Sequence, residues 1–126
     1  VGSIKPTILI TGDISFLYDS NGLWNQNIPK NFKIMILNNR GGGIFRILPG
    51  HQENSVFNTY FETKHQLTAE HLAKMYHFDY LNASNEIDLQ TQLDAFYKSE
   101  NQIILEIFTP TEMNNVVLQN FFEFLK

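Results

Sequence analysis

Three apolar runs punctuate the chain, and each is short enough to be a strand. Pro6 to Thr11 ends at Gly12-Asp13, Phe32 to Leu37 ends at Asn38-Asn39-Arg40-Gly41-Gly42-Gly43, and Gln102 to Phe108 is the third. Near-continuous apolar runs of this length predict strands buried on both faces of a sheet, the first run included. Between them the spacing turns helical. Ser15 to Trp24 places Phe16, Leu17, Leu23 and Trp24 at positions a helix tolerates, with Asn21-Gly22 as an interruption. Thr68 is placed to cap a helix through about Tyr76, with Leu72, Met75 and Tyr76 on one face. Phe78 to Leu81 reads as a brief strand. Ser84 or Asn85 caps a helix in which Leu89, Leu93, Phe96 and Tyr97 fall at i, i+4, i+7 and i+8. Thr111 caps a last helix with Val117, Phe121 and Phe124 on one stripe and Leu118, Phe122 and Leu125 on its neighbour.

Roughly 44 to 66 has no period and reads as a long irregular segment, a type of loop that is usually functional or disordered. Its part from about Gly50 to Gln66 is expected to be poorly ordered without ligand, because its polar sequence offers no evident backbone pairing. The order strand-helix-strand-loop-helix-strand-helix-strand-helix predicts an α/β fold: an open parallel sheet with helices on both faces. Consecutive helical positions turn by about 100°, so Phe121, Phe122 and Phe124 cannot share one side. At least one should meet a neighbouring domain or subunit, or lie exposed at a frayed end.

Composition narrows the function classes. With 126 residues there is room for one domain and not two. A hydrophobic share of 43% with 11 Phe is enough for a packed core. Net charge of −4 and the lack of a Lys/Arg cluster exclude a nonspecific nucleic-acid binder. The absence of cysteine excludes a disulfide scaffold, thiolate-bound zinc, iron–sulfur clusters and a thiol nucleophile. Ile8-Leu9-Ile10 and Ile34-Met35-Ile36-Leu37 are too short to cross a bilayer, so no membrane insertion is expected. No signal-peptide pattern precedes them, and the expected location is cytoplasmic. Val1-Gly2-Ser3 runs into a strand without an initiator Met, as in a piece cut from a longer protein; a tag scar would read the same. His51, His65, His71 and His77 lack ligand spacing, so no zinc site is expected; His71 and His77 belong on a helix surface and its frayed end.

In a parallel sheet, ligands sit beyond the carboxyl ends of the strands. Two such ends are rich in oxygen donors: Gly12-Asp13-Ile14-Ser15, opening a helix, and Asn38-Asn39-Arg40-Gly41, opening a loop. Adjacent strands would bring the Asp13 carboxylate near an Asn side-chain oxygen. A carboxylate, an amide oxygen and a backbone carbonyl make a hard-oxygen half-shell for Mg²⁺ or Ca²⁺. The helix N-terminus, with the Ser15 hydroxyl and unpaired N–H groups, suits a phosphate. Metal and helix terminus together point to a Mg-diphosphate. Taken singly, Asp13 could merely cap its helix, and Asn-Asn-Arg-Gly could merely turn, since Asn and Gly tolerate positive φ. Their joint presence on consecutive strands favours the functional reading.

The pair Gly12-Asp13 and Asn38-Asn39, separated by Ile14 to Leu37, resembles the signature of thiamine diphosphate-dependent enzymes, Gly-Asp-Gly followed at a distance by Asn-Asn. Ile14 stands where that signature has Gly, and the spacer is at its short end. The flanks are similar to one branch, the 2-succinyl-5-enolpyruvyl-6-hydroxy-3-cyclohexene-1-carboxylate synthases of menaquinone biosynthesis, in which an aliphatic residue is common at the Ile14 position. Gly12 to Leu23 resembles its GD-aliphatic-S-x-LYD-x-N-x-L run, and Asn38 to Pro49 its NN-x-GG-x-IF-x-x-LP loop. Weaker likeness extends through Phe61, His71-x-Ala73 and the Glu106 strand.

The resemblance implies the thiamine diphosphate-binding fold, Rossmann-like and N-terminally truncated, with residues 1–126 forming a single partial domain that binds Mg-diphosphate. It implies Asp13, Asn39 and the Gly41 carbonyl as Mg²⁺ ligands, with Gly12, Ile14 and Ser15 beside the cofactor. It also implies Ile44, Phe45 and Leu48 as an apolar wall by the reacting centre, with ordinary loop packing as the bland alternative. The implied reaction is decarboxylation of 2-oxoglutarate and addition of the resulting carbanion to isochorismate. The implied partners are these small molecules, the remaining domains of the same enzyme, and further copies in a dimer or tetramer. The glutamate that activates the aminopyrimidine belongs to a separate domain in this family, and Glu53 and Glu62 match no catalytic position, so no catalytic residue is assigned and the chain alone is expected to be inactive. An acetolactate synthase-like or 2-oxoacid decarboxylase domain is disfavoured by Ile14 and the Gly-Gly-Gly-Ile-Phe loop. A noncatalytic flavodoxin-like or receiver-like module leaves Asn38-Asn39 and three glycines without a purpose.

Overall fold

The apolar runs pair into one all-parallel sheet. The computed structural model describes residues 5–47 and 54–126. Among these the strands are β1 (Thr7–Gly12), β2 (Phe32–Asn38), β3 (Asp79–Ala83) and β4 (Ile103–Phe108), in the order β1-β2-β4-β3. The helices are α1 (Asp13–Asp19), α2 (Glu70–Met75), α3 (Glu86–Lys98) and α4 (Asn114–Phe124). Two compact units result. One holds the sheet with α1, α2 and α3, and the other comprises the described residues of Asn39–Leu67 with Thr109–Lys126.

In the first unit, side-chain alternation along the strands decides which helix covers which face. Ile34 and Ile36 of β2 and Ile104 of β4 pack with Phe16 of α1 and with Ala69, Ala73 and Phe78. Ile103 and Leu105 of β4 point the other way, against Phe96 of α3, with Met35, Leu81 and Leu93 around them. Helices therefore flank both faces of the sheet, as the element order predicts.

β1 departs from expectation. Ile8, Leu9 and Ile10 are 40%, 45% and 63% exposed. The strand pairs with β2 and forms the sheet edge among the described residues, so its apolar run is not sealed on two faces. The helix expected from Ser15 starts at Asp13 and ends at Asp19; Ser20–Trp24 tightens into a 3₁₀ turn around Asn21-Gly22, both poor helix formers.

Capping follows the sequence once in three cases. Asn85 caps α3, its side-chain oxygen accepting the Asp88 N–H at 2.9 Å. Thr68 does not cap α2, whose flanking residue is Ala69, and Thr111 does not cap α4, which follows Met113. The Thr111 hydroxyl instead donates to the Asn39 carbonyl at 2.8 Å.

Lys33 links α3 to the sheet. It is buried in β2, and its ammonium donates to the carbonyls of Phe96 (2.6 Å) and Tyr97 (2.8 Å), 5.6 Å from the Phe96 ring centre. These carbonyls are at the negative end of the helix dipole. Lys33→Met keeps the stem but strips both carbonyls of their donor, an expected loss of about 1–3 kcal/mol. Denaturant unfolding of the full-length protein reads it; an unchanged midpoint would show that these bonds give no net stability.

In the second unit, the segment expected to be irregular carries helical turns at Gly43–Arg46 and Phe57–Phe61. Its backbone finds partners: the Gly42 N–H donates to the Glu62 carbonyl at 2.6 Å, and the His65 N–H to that of Arg40 at 3.2 Å. The reason given for poor order, a backbone without partners, does not hold for residues 54–66, and residues 50–53 lie outside the described ones. α4 has no buried residue; Phe121, Phe122 and Phe124 are 53%, 51% and 84% exposed.

Candidate functional site

Gly12, at the end of β1, pairs with Leu37 of β2, and Asp13 and Asn38 are the residues that follow them. This is the carboxyl end of two neighbouring parallel strands. Asp13 is buried in the first turn of α1, and one of its oxygens accepts the Ile14 N–H at 2.8 Å. Gly12 precedes the helix without a side-chain cap, and a Cβ there would meet nothing within 4 Å. Ser15 is exposed on the same turn. Backbone donors and a buried carboxylate thus share one helix start. Asp13 partly fills the capping role that the bland reading gave it.

In the other unit, Asn39 is half-buried and opens the glycine-rich turn. Its side-chain nitrogen faces Gly43 so closely that a Cβ on Gly43 would overlap it, which turns the amide oxygen away from Gly43. The Gly41 carbonyl accepts the Gly43 N–H at 3.0 Å. A Cβ on Gly41 would lie 2.7 Å from the Glu62 carbonyl oxygen, so close backbone approach is what requires glycine there. Positive φ was expected of Asn or Gly in this turn, yet the non-glycine residue with φ of 63° is Arg40. Left-handed backbone on such a residue is costly and concentrates at functional turns.

Carboxylate, amide oxygen and carbonyl are the donor types that hold Mg²⁺. Among the described residues no group of three or more His, Cys, Asp or Glu is placed for a metal. Of the expected apolar wall, Ile44 is 65% exposed and so is not core packing, while Phe45 meets the Phe61 ring edge-on at 6.0 Å. Leu48 lies outside the described residues.

The turn is braced by an ion pair that sequence reading missed. Glu62 is wholly buried and receives Arg46, itself buried, and Lys64 at 3.2 Å. The Arg46 hydrogen bond holds the Glu62 carboxyl below its ordinary value, against the opposing effect of burial, with Lys64 assisting. A carboxyl lowered in the folded state adds stability above the ordinary carboxylate range and loses it as pH falls through its lowered value. Acidification should therefore loosen this unit first at the Gly42–Glu62 contact. Hydrogen exchange at the Gly42 amide checks this: Glu62→Gln should abolish the acid-dependent step, and its persistence in that variant would assign it elsewhere.

A second buried polar cluster was also missed. Glu106 is 1% exposed within a strand that otherwise reads as wholly apolar. It accepts the Asn38 side-chain N–H at 2.7 Å, the Ala69 backbone N–H at 3.0 and 3.2 Å, and the Tyr80 hydroxyl at 2.5 Å. Burial and then Glu106 itself push the Tyr80 hydroxyl far above its ordinary value, which keeps it a donor. A cavity of about 700 Å³ lined by Trp24, Ile28, Tyr76 and Gln102 lies near the start of β4, away from these strand ends. His71 and His77 are exposed, on α2 and just beyond it. No helix among the described residues is long and apolar enough to cross a membrane.

Comparison with known proteins gives a consistent picture. No family model matches the chain. Curated relatives named 2-succinyl-5-enolpyruvyl-6-hydroxy-3-cyclohexene-1-carboxylate synthase are 63% identical over 123 residues in Flavobacterium psychrophilum and 64% over 124 residues in Flavobacterium johnsoniae. Each match covers 98% of this chain. The relative of that name in Christiangramia forsetii is 51% identical over 127 residues, covering all of the chain. The chain spans 22% of the length of these three relatives.

Proposed function

From a chain that belongs to the 2-succinyl-5-enolpyruvyl-6-hydroxy-3-cyclohexene-1-carboxylate synthase family, we propose the Mg-diphosphate-binding part of a longer, thiamine diphosphate-dependent transferase. The observation that carries this reading is the placement of Gly12-Asp13 and Asn38 at the carboxyl ends of neighbouring parallel strands, with Asn39 next in the chain. Asp13, Asn39 and the Gly41 carbonyl are assigned to Mg²⁺. Gly12, Ile14 and Ser15 line the diphosphate, and Ile44, Phe45 and Leu48 are assigned to the substrate wall. When bound, thiamine diphosphate supplies the electron sink that lets a 2-oxo acid lose carbon dioxide.

What the chain itself contributes is binding and orientation. The α1 N-terminus offers N–H donors and a positive dipole end to phosphate oxygens. The buried Asp13 carboxylate attracts a hard cation. Phe45, braced by Phe61, gives an apolar surface that excludes water from one side. The proposed substrates are 2-oxoglutarate and isochorismate, in a cytoplasmic enzyme that works as a dimer or tetramer. The exposed apolar edge of β1 and the uncovered aromatic residues of α4 support a partial domain that the rest of the enzyme covers. The full-length protein should release carbon dioxide from 2-oxoglutarate with Mg²⁺ and thiamine diphosphate, consuming isochorismate. Turnover indifferent to either cofactor would dismiss the reading.

A further inference from the structure

Resting on the reading above, we infer that Glu106 is a positioning residue for the cofactor site, acting through the side chain of Asn38. Glu106 ties together four elements of one unit. It accepts from Asn38 at the end of β2, from Ala69 at the start of α2 and from Tyr80 on β3, while itself belonging to β4. A carboxylate fully removed from water is tolerated only when donors surround it, and this one has three. It also serves the helix start: the Ala69 N–H, just ahead of α2, is bound by Glu106.

The consequence for the site runs along the backbone. Asn38 is 1% exposed, and its side chain is committed inward at 2.7 Å from Glu106. In a strand, a side chain fixed on one face holds the backbone of that residue in place, and with it the peptide bond to the next residue. The next residue is Asn39, the proposed Mg²⁺ ligand. The residue before Asn38, Leu37, pairs with Gly12, the residue before Asp13. The two asparagines of the motif therefore have different tasks in this reading: Asn38 anchors the strand end, and Asn39 is the proposed ligand. Supporting hydrogen bonds of this kind typically change metal affinity by about 10–100-fold when removed.

The test uses the full-length protein and measures two quantities for each variant: the Kd for thiamine diphosphate with Mg²⁺ by calorimetry, and the unfolding midpoint without either. Glu106→Gln presents an NH₂ group to at least one of the three donors. Asn38→Ala removes the same contact from its other side and serves if Glu106→Gln does not fold. Ile103→Ala, three residues earlier on β4 and packed on the opposite face against Phe96, is the control for lost stability alone. The expected result is a Kd raised about tenfold or more by Glu106→Gln and by Asn38→Ala, and unchanged by Ile103→Ala at a comparable fall in midpoint. If Glu106→Gln and Asn38→Ala lower the midpoint and leave the Kd where it was, Glu106 only holds the fold together and the inference is overturned. Asp13→Ala and Asn39→Ala separate the two levels: an unchanged Kd in both removes the cofactor site itself, whereas lost binding in both with a normal Kd in Glu106→Gln removes only the positioning role.

Discussion

Gly43→Ala should abolish most Mg-dependent cofactor binding while leaving the fold nearly as stable as before. The added Cβ would overlap the side-chain nitrogen of Asn39. That nitrogen is the far end of a rotatable side chain, so Asn39 can swing away at little energetic expense to the fold. Swinging away takes its amide oxygen out of the proposed Mg²⁺ shell. A loss of roughly ten- to hundredfold in affinity is the expected scale for a displaced metal environment. Gly41→Ala behaves differently, because its Cβ would press on the backbone oxygen of Glu62 at 2.7 Å and backbone cannot rotate aside. That variant should lose stability and binding together. Calorimetric affinity and unfolding midpoints of both variants in the full-length protein give the comparison. A Gly43→Ala protein that binds normally would mean that the Asn39 side chain holds nothing.

The second large effect is the silence of this chain on its own. The resemblance implies that the cofactor is activated by a carboxyl group against its aminopyrimidine ring, supplied from a separate domain. Glu62, the described glutamate nearest in sequence to the Asn-Asn turn, is wholly buried and committed to Arg46 and Lys64. Glu106 is likewise committed, to three donors. Glu53 lies outside the described residues. Carbon dioxide release from 2-oxoglutarate by the isolated chain, with Mg²⁺ and thiamine diphosphate present and cooperative unfolding verified, should equal the protein-free background. Turnover above it would place an activating carboxyl within these residues.

The elements that sequence reading placed best are those whose partners are local. Asn85 bonds its own helix three residues on, and β2 and β4 declare themselves by apolar runs that the core buries. Its misses share a physical origin. Thr68 and Thr111 are good caps by composition, but α2 begins only after Ala69, and Thr111 turns to the Asn39 carbonyl. The Arg46–Glu62 pair joins two stretches without periodicity, and periodicity was the signal being read. β1 has the composition of a central strand in an edge position. Glu106 left a trace that could have been followed. A lone carboxylate within Ile103-Ile104-Leu105-Glu106-Ile107 has to find donors if the strand is buried, and buried donors are limited in kind. Asp13 and Asn39 stand out in the sequence as candidate ligands because their chemistry and spacing form a motif. The glycines that shape their turn were legible as flexible residues, although close approach, and not positive φ, is what requires Gly41.

The account stands on Asp13 as a side-chain ligand of Mg²⁺ at the carboxyl end of β1. Calorimetric titration of thiamine diphosphate into the full-length Asp13→Ala protein, with and without Mg²⁺, tests this most directly. The account predicts that the Mg-dependent part of the binding vanishes. Mg-dependent affinity equal to that of the unaltered protein would contradict it.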